Sequence, residues 1–225
     1  MIACAADAHI GEHPETLQAF LDACDALEAS PPSHFIVLGD LFDFFIGLPG
    51  WATPEQTRVF DRIRRLKEAG VFTAYIEGNR DFFLKDPDLR RIFSFIGPSI
   101  TLEAGGRRIL FFHGDTLNRR DWRYLSWRAL SKSPPVYALT RAFPRPLLLR
   151  LYRWTERRLK RTNFRYRKQV PLEAVRAFAA RHSEAEEVVL GHFHREFSDA
   201  AGGVRIFGLP AFQDTGRFWM REPGS

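Results

Sequence analysis

Cysteine is scarce in this 225-residue chain. There are two, Cys4 and Cys24, and both lie in apolar, core-like segments. A disulfide framework is therefore not expected, and a reducing compartment is the default. No stretch reaches the ~18–20 apolar residues that a transmembrane helix needs. Met1 to Ala6 is a short apolar run without a basic leader and ends at Asp7, so a secretory signal peptide is not expected. The sequence has no internal repeat and no low-complexity tail. One region lacks acids: Arg119 to Lys168 holds 16 Lys and Arg against Asp121 and Glu156 alone, a balance of +14. The remaining 175 residues carry −8, which gives the total of +6. An acidic body with one strongly basic insert suggests an anionic partner or surface at the insert.

What is present suits one domain with a piece inserted. Hydrophobic residues make up 45% of the chain, enough for a sizeable core, and a disordered chain is excluded. Strands are expected at Ile2–Ala6, Phe35–Leu38, Val71–Ile76, Ile100–Ala104, Arg107–Phe112, Glu187–Leu190, Arg195–Ala200, Val204–Gly208 and Gly216–Met220. Helices are expected at Pro14–Ala29, Pro54–Ala69, Asp88–Phe95 and Leu172–His182. The first of these shows an apolar face through Leu17, Phe20, Leu21, Cys24 and Leu27 at three-and-four spacing. Gly105-Gly106 reads as a hairpin turn. The strand–loop–helix rhythm predicts an α/β fold, with a site at the carboxyl ends of the strands. Boundaries follow: residues 1–118 and 169–225 form the body, and 119–168 form a basic helical cap with nine aromatics between Trp122 and Tyr166. In its last helix Leu148, Leu151, Tyr152, Thr155 and Leu159 make one apolar stripe.

Five short clusters follow the apolar segments. They are Asp7-Ala8-His9, Gly39-Asp40-Leu41-Phe42-Asp43, Gly78-Asn79-Arg80-Asp81, Phe111-Phe112-His113-Gly114-Asp115 and Gly191-His192-Phe193-His194. Taken singly, each has a plain structural explanation, such as a turn, a salt-bridged loop or a satisfied histidine. Together they supply seven ligand-type side chains: Asp7, His9, Asp40, Asn79, His113, His192 and His194. Asp7 and His9 are two apart, as are His192 and His194, so on extended backbone each pair points to one side. Two divalent ions ~3.5–4 Å apart need a bridging carboxylate, and Asp40 is the candidate. Imidazole with carboxylate suits Mn, Fe or Zn, and a carboxylate- and amide-rich set tolerates Mn or Mg. The reading is a two-metal centre that hydrolyses a phosphoester or phosphoanhydride.

The order Asp-x-His, Gly-Asp-x-x-Asp, Gly-Asn-x-Asp, His-Gly-Asp, Gly-His-x-His resembles the calcineurin-like metallophosphoesterase superfamily from Asp7 to His194. That resemblance implies a two-sheet β-sandwich flanked by helices. It implies one metal held by Asp7, His9, Asp40 and His194 and a second by Asp40, Asn79, His113 and His192, with Mn2+ expected. Arg80 stands where many members have a histidine acid. Gly-Asn-Arg-Asp-Phe, His-Gly-Asp-Thr-Leu and the basic insert resemble the UDP-2,3-diacylglucosamine pyrophosphatases of lipid A synthesis. Those enzymes give UMP and 2,3-diacylglucosamine 1-phosphate, have a helical lid over the acyl chains, and sit on the inner membrane surface. The chain departs from their pattern at Phe193, where threonine is commoner, and at Phe207-Gly208-Leu209-Pro210, where Gly-Asp-Trp is expected.

On this reading Asn79, Arg80 and His113 are the catalytic candidates, and Asp43, Asp81 and Asp115 orient the ligands. Arg80, Asp121, Asn163, Arg167 and Lys168 are candidate substrate contacts. The expected protein is a cytoplasmic monomer, peripheral on an anionic membrane surface, with a lipid-linked nucleotide as substrate. Two alternatives stay open. One is a soluble metallophosphodiesterase acting on nucleic acid or a small nucleotide, its insert gripping phosphates and stacking bases. The other is a binding module with a vestigial centre.

Overall fold

A computed structural model describes residues 1–11, 13–151, 154 and 170–222. The first sheet orders β12 (Trp219–Arg221), β1 (Ile2–Ala5), β2 (His34–Leu38), β4 (Phe72–Ile76) and β6 (Phe95–Gly97). β1, β2, β4 and β6 run parallel, and β12 is antiparallel to β1. Every residue of β1 is buried, as a parallel strand covered on both faces must be. The second sheet orders β10 (Phe197–Ala201), β11 (Val204–Gly208), β9 (Glu187–Leu190), β8 (Arg107–Phe112) and β7 (Ser99–Ala104). Here β8, β9 and β11 are parallel and the flanking pairs antiparallel. β7 and β8 form the expected hairpin, closing at Ala104 and Arg107 around Gly105 and Gly106, both with positive φ.

Alternation sorts the side chains into two cores. Ile2, Cys4, Ile36, Leu38, Ala74 and Ile76 leave one face of the first sheet and meet Ile109, Phe111 and Val189 of the second, which gives the sandwich. Ala3, Ala5, Phe35, Val37 and Tyr75 leave the other face and meet helices α1 (Pro14–Ala29) and α2 (Pro54–Glu68). α1 buries Phe20, Leu21, Cys24 and Leu27, the face its periodicity predicts. α2 begins at a capping box, with Thr53 and Gln56 each satisfying the other's backbone N–H. On the outer face of the second sheet, Phe112 stacks on Phe178 of α6 (Leu172–Arg181) with ring centroids 4.8 Å apart.

Several expected boundaries move. The helix predicted to reach Phe95 is α3 (Pro87–Ile92) and ends sooner. Ser94 N–H donates to the Thr73 carbonyl, which draws Phe95–Gly97 into the sheet as β6. The strand expected from Arg195 starts at Phe197, and the one expected from Gly216 starts at Trp219. Gly216 instead ends the short helix α7 (Phe212–Thr215) in a left-handed conformation. A two-residue pairing of β3 (Phe45–Ile46) with β5 (Asp81–Phe82) was not foreseen, since runs that short carry no periodicity.

The chain divides into two compact units, Met1–Asp115 with Arg176–Ser225, and Thr116–Val175. The second unit contains α4 (Trp122–Ser131), α5 (Pro134–Ala142) and a helical segment at 145–151. Of its expected apolar stripe, Leu148 is buried and Leu151 is exposed. Tyr152, Thr155 and Leu159 lie outside the described residues. Among the described residues no helix is long and apolar enough to cross a membrane.

Candidate metal centre

The loops that leave β1, β2, β4, β8 and β9 carry the seven candidate ligands. Backbone hydrogen bonds tie the loops together: Asp7 N–H donates to the Gly39 carbonyl at 3.3 Å and His9 N–H to the Asp40 carbonyl at 3.0 Å. Six non-glycine residues among those described have positive φ, and five of them are Asp7, His9, Asp40, His192 and His194. Left-handed backbone is costly for such residues and persists where the surroundings impose it, often at functional sites. Close approach also requires glycine. A Cβ on Gly39 would lie 2.3 Å from His113 Nδ1, and one on Gly78 would lie 2.4 Å from Asp40 Oδ1.

The side chains form two groups that share Asp7. In the first, His9 Nε2 is 3.3 Å from His194 Nε2, and Asp7 Oδ1 is 3.4 Å from His194 Nε2. In the second, Asp40 Oδ1 is 3.7 Å from His113 Nε2. Asn79 Oδ1 lies 3.3 Å from that same Nε2 and 3.0 Å from His192 Nδ1. In each of the sets Asp7–His9–His194 and Asp7–Asp40–His113, ligand atoms lie within 4.8 Å of one another.

The donor set fits divalent cations. His113 Nδ1–H donates to the Leu38 carbonyl at 2.8 Å, which leaves the Nε2 lone pair facing Asp40 and Asn79. Several lone-pair atoms thus point at one another in a buried place, an arrangement that needs positive charge between them. Asp7 Oδ1 is buried and accepts no well-aligned hydrogen bond among the described residues. Its Oδ2 accepts from the His192 backbone N–H at 2.7 Å, which fixes the carboxylate.

The electrostatics carry the same message. Burial would raise the Asp7 carboxyl, but His194, His113 and His9 outweigh it and hold Asp7 well below the usual carboxylate range. Burial dominates at Asp40 and raises it, against the pull of His113 and Arg80. His113 and His194 are raised although burial opposes this, because Asp40 and Asp7 face the first and Asp7 the second. Without metal, protons on these imidazoles supply the charge that the carboxylates require.

Of the remaining candidates, Asp81, Arg80 and Asp115 adjoin this centre. Asp81 is fully buried and accepts from Asp40 N–H at 3.0 Å, Gly78 N–H at 2.8 Å and Tyr75 O–H at 2.8 Å. Burial first, then Asp81, push the Tyr75 phenol up, so it remains a donor. Arg80 is buried. Its backbone N–H donates to Asp40 Oδ1 at 2.8 Å, and its guanidinium pairs with the Asp43 carboxylate and reaches the Asp43 carbonyl at 3.1 Å. Asp115 is buried beside His113 and helps raise it. Asp121 caps α4, accepting from Tyr124 N–H at 3.1 Å. Asn163, Arg167 and Lys168 lie outside the described residues.

Sequence reasoning missed Gln213 of α7, whose Nε2 lies 3.4 Å from His194 Nδ1. It belongs to no motif, and only the fold brings it to the fifth cluster.

The family model of the calcineurin-like phosphoesterases matches residues 1–196. A protein of Pseudomonas putida named UDP-2,3-diacylglucosamine hydrolase is 33% identical, with 87% of this chain and 82% of that protein covered. One of the same name from Neisseria gonorrhoeae is 30% identical, covering 84% and 80%. Among solved structures, zinc-bound Vps29 from Entamoeba histolytica is 12% identical with a TM-score of 0.47, covering 94% of this chain and 74% of that one. The phosphopantetheinyl hydrolase of Mycobacterium tuberculosis is 15% identical with a TM-score of 0.44, covering 100% and 97%.

Proposed function

This chain belongs to the calcineurin-like phosphoesterase family, and from that premise we propose that it hydrolyses the pyrophosphate bond of UDP-2,3-diacylglucosamine to UMP and 2,3-diacylglucosamine 1-phosphate. The observation that carries the reaction class is the convergence of seven ligand side chains beside a buried arginine. The lipid-linked substrate is supported by the names of relatives at 30–33% identity over most of both chains.

Asp7, His9, Asp40 and His194 would hold one ion, and Asp40, Asn79, His113 and His192 the other, with Mn2+ the expected metal; Asp7, shared by both clustered sets, would lie close to both. When bound, such a pair supplies Lewis-acid charge to the phosphoryl oxygens and lowers the pKa of water. The chain's own residues do the rest. The Leu38 carbonyl fixes the ring of His113. Asp81 sets the backbone of Asp40 and Gly78. Asp43 holds the Arg80 guanidinium next to Asp40. A phosphate leaving group departs with little need of a proton, so a fixed cation serves where a general acid otherwise would. Arg80 is the group proposed to meet the pyrophosphate charge, its planar fork suited to phosphate oxygens.

The insert is proposed to lie on an anionic lipid surface and receive the acyl chains. Trp122, Leu130, Phe143, Leu147, Leu151 and Trp154 are all exposed, in the region with a balance of +14. Cations would meet headgroups and apolar side chains the hydrocarbon boundary. A groove for nucleic acid would not need exposed leucines.

The reaction is tested by titrating chelator-treated protein with Mn2+ while following UMP release. Activity should be absent at the start and saturate near two equivalents. Turnover that survives the chelator unchanged would reject the metal-dependent reading.

A further inference from the structure

Gln213 lies outside the five clusters and comes 19 residues after His194. Its place is set by the backbone. At the start of α7, Phe212 N–H donates to the Ala6 carbonyl at 2.8 Å and Gln213 N–H to the Asp7 carbonyl at 3.4 Å. The helix is therefore seated on the loop that carries the first two candidate ligands, and from there Gln213 reaches His194.

The amide admits two orientations. With Nε2 toward the ring, as placed, it can only donate to His194 Nδ1 at 3.4 Å, and its buried Oε1 accepts nothing among the described residues. A neutral imidazole that accepts at Nδ1 carries its proton on Nε2. That Nε2 lies 3.3 Å from His9 Nε2 and 3.4 Å from Asp7 Oδ1, and a proton there closes it to a metal ion. Turning the amide by half a rotation exchanges oxygen for nitrogen in nearly the same volume. Oε1 then accepts from His194 Nδ1–H, and the Nε2 lone pair faces Asp7 and His9. A doubly protonated ring needs the same acceptor, so only the neutral Nε2–H form matches the first orientation.

We propose that Gln213 is the positioning residue for His194, its side-chain oxygen accepting the Nδ1 proton so that Nε2 is presented to a divalent cation. The inference rests on the reading of His194 as a metal ligand. It gives His194 a side-chain counterpart to the Leu38 carbonyl that orients His113. It also makes α7 a brace between the first and fifth clusters.

The test measures Zn2+ binding by competition with a chromophoric chelator in four proteins: wild type, Gln213→Leu, Gln213→Glu and His194→Ala. Wild type should bind two equivalents and His194→Ala should lose affinity for one. Gln213→Leu should weaken one site by about 10–100-fold, the usual effect of removing a hydrogen-bond partner of a ligand. Gln213→Glu, which keeps an acceptor, should bind at least as tightly as wild type. Imidazole 15N spectra of the Zn2+-loaded proteins should show the His194 proton on Nδ1, exchanging faster in Gln213→Leu. Wild-type Zn2+ affinity in Gln213→Leu, or equal weakening in Gln213→Glu, would overturn the assignment to Gln213 alone. Failure of the wild type to bind Zn2+ would overturn the metal centre itself and Gln213 with it.

Discussion

Asp81 gathers three donors from three places: Tyr75 in a strand, Gly78 beside Asn79, and Asp40 on another loop. Removing one donor shows what the carboxylate holds. Tyr75→Phe leaves Asp81 Oδ1 buried without that bond and should cost about 1–3 kcal/mol in urea unfolding. Metal affinity should fall less than in Asp81→Asn, where two backbone N–H partners are disturbed as well. The role proposed for Arg80 can be tested by separating metal binding from turnover. Arg80→Ala should lower turnover by about 10²–10³-fold, the usual loss for a charge-stabilising group, while metal content stays near two ions by mass spectrometry. Equal loss of both would mean that Arg80 supports the fold and has no part in the transition state. The candidate ligand side chains that the fold gathers were legible in the sequence because each lies a few residues past an apolar strand. Gln213 was not, since nothing local distinguishes it from any other glutamine. The Leu38 carbonyl was not either, because backbone groups leave no mark in sequence.

The loops that carry the candidate ligands combine residues of left-handed backbone with glycines at points of contact. Gly39→Ala would drive a Cβ into the His113 ring and add strain at φ +81°. Loss of one metal equivalent with little change in helix content by circular dichroism is the expected result. A protein that binds both ions normally would show that the loops tolerate displacement. Helices and long strands could be read from period alone, as the buried face of α1 shows. β3, β5, β6 and α7 could not, because each is two to four residues long and exists through its partners. β6 takes its form from β4, against the helical continuation that Ile92 and Phe93 suggest. The insert makes its own prediction. Leu147→Ser with Leu151→Ser removes exposed apolar surface and spares buried Leu148. Sedimentation with phosphatidylglycerol vesicles should fall while cleavage of a small soluble phosphodiester continues. Unchanged sedimentation would remove the lipid-surface role.

At the scale of the molecule, the metal-free protein should show its origin in its response to pH. His113 and His194 are raised, so their stabilisation is full below the ordinary imidazole value of 6.5 and is lost as pH rises through their folded values. Asp40, raised by burial, acts in the same sense. Asp7 is depressed, so its contribution is present above 3.8 and is lost only in stronger acid. Chelator-treated protein should therefore melt at a lower temperature at alkaline pH than near pH 6. Bound Mn2+ should remove most of that slope. A metal-free melting temperature that rises between pH 6 and alkaline pH would contradict the charge balance described for the centre. The most direct measurement is incubation of Mn2+-loaded protein with UDP-2,3-diacylglucosamine, with products identified by mass spectrometry. UMP and 2,3-diacylglucosamine 1-phosphate are expected in equal amounts. Clear cleavage of a generic phosphodiester with no turnover of this lipid would leave the metal centre standing and contradict the substrate.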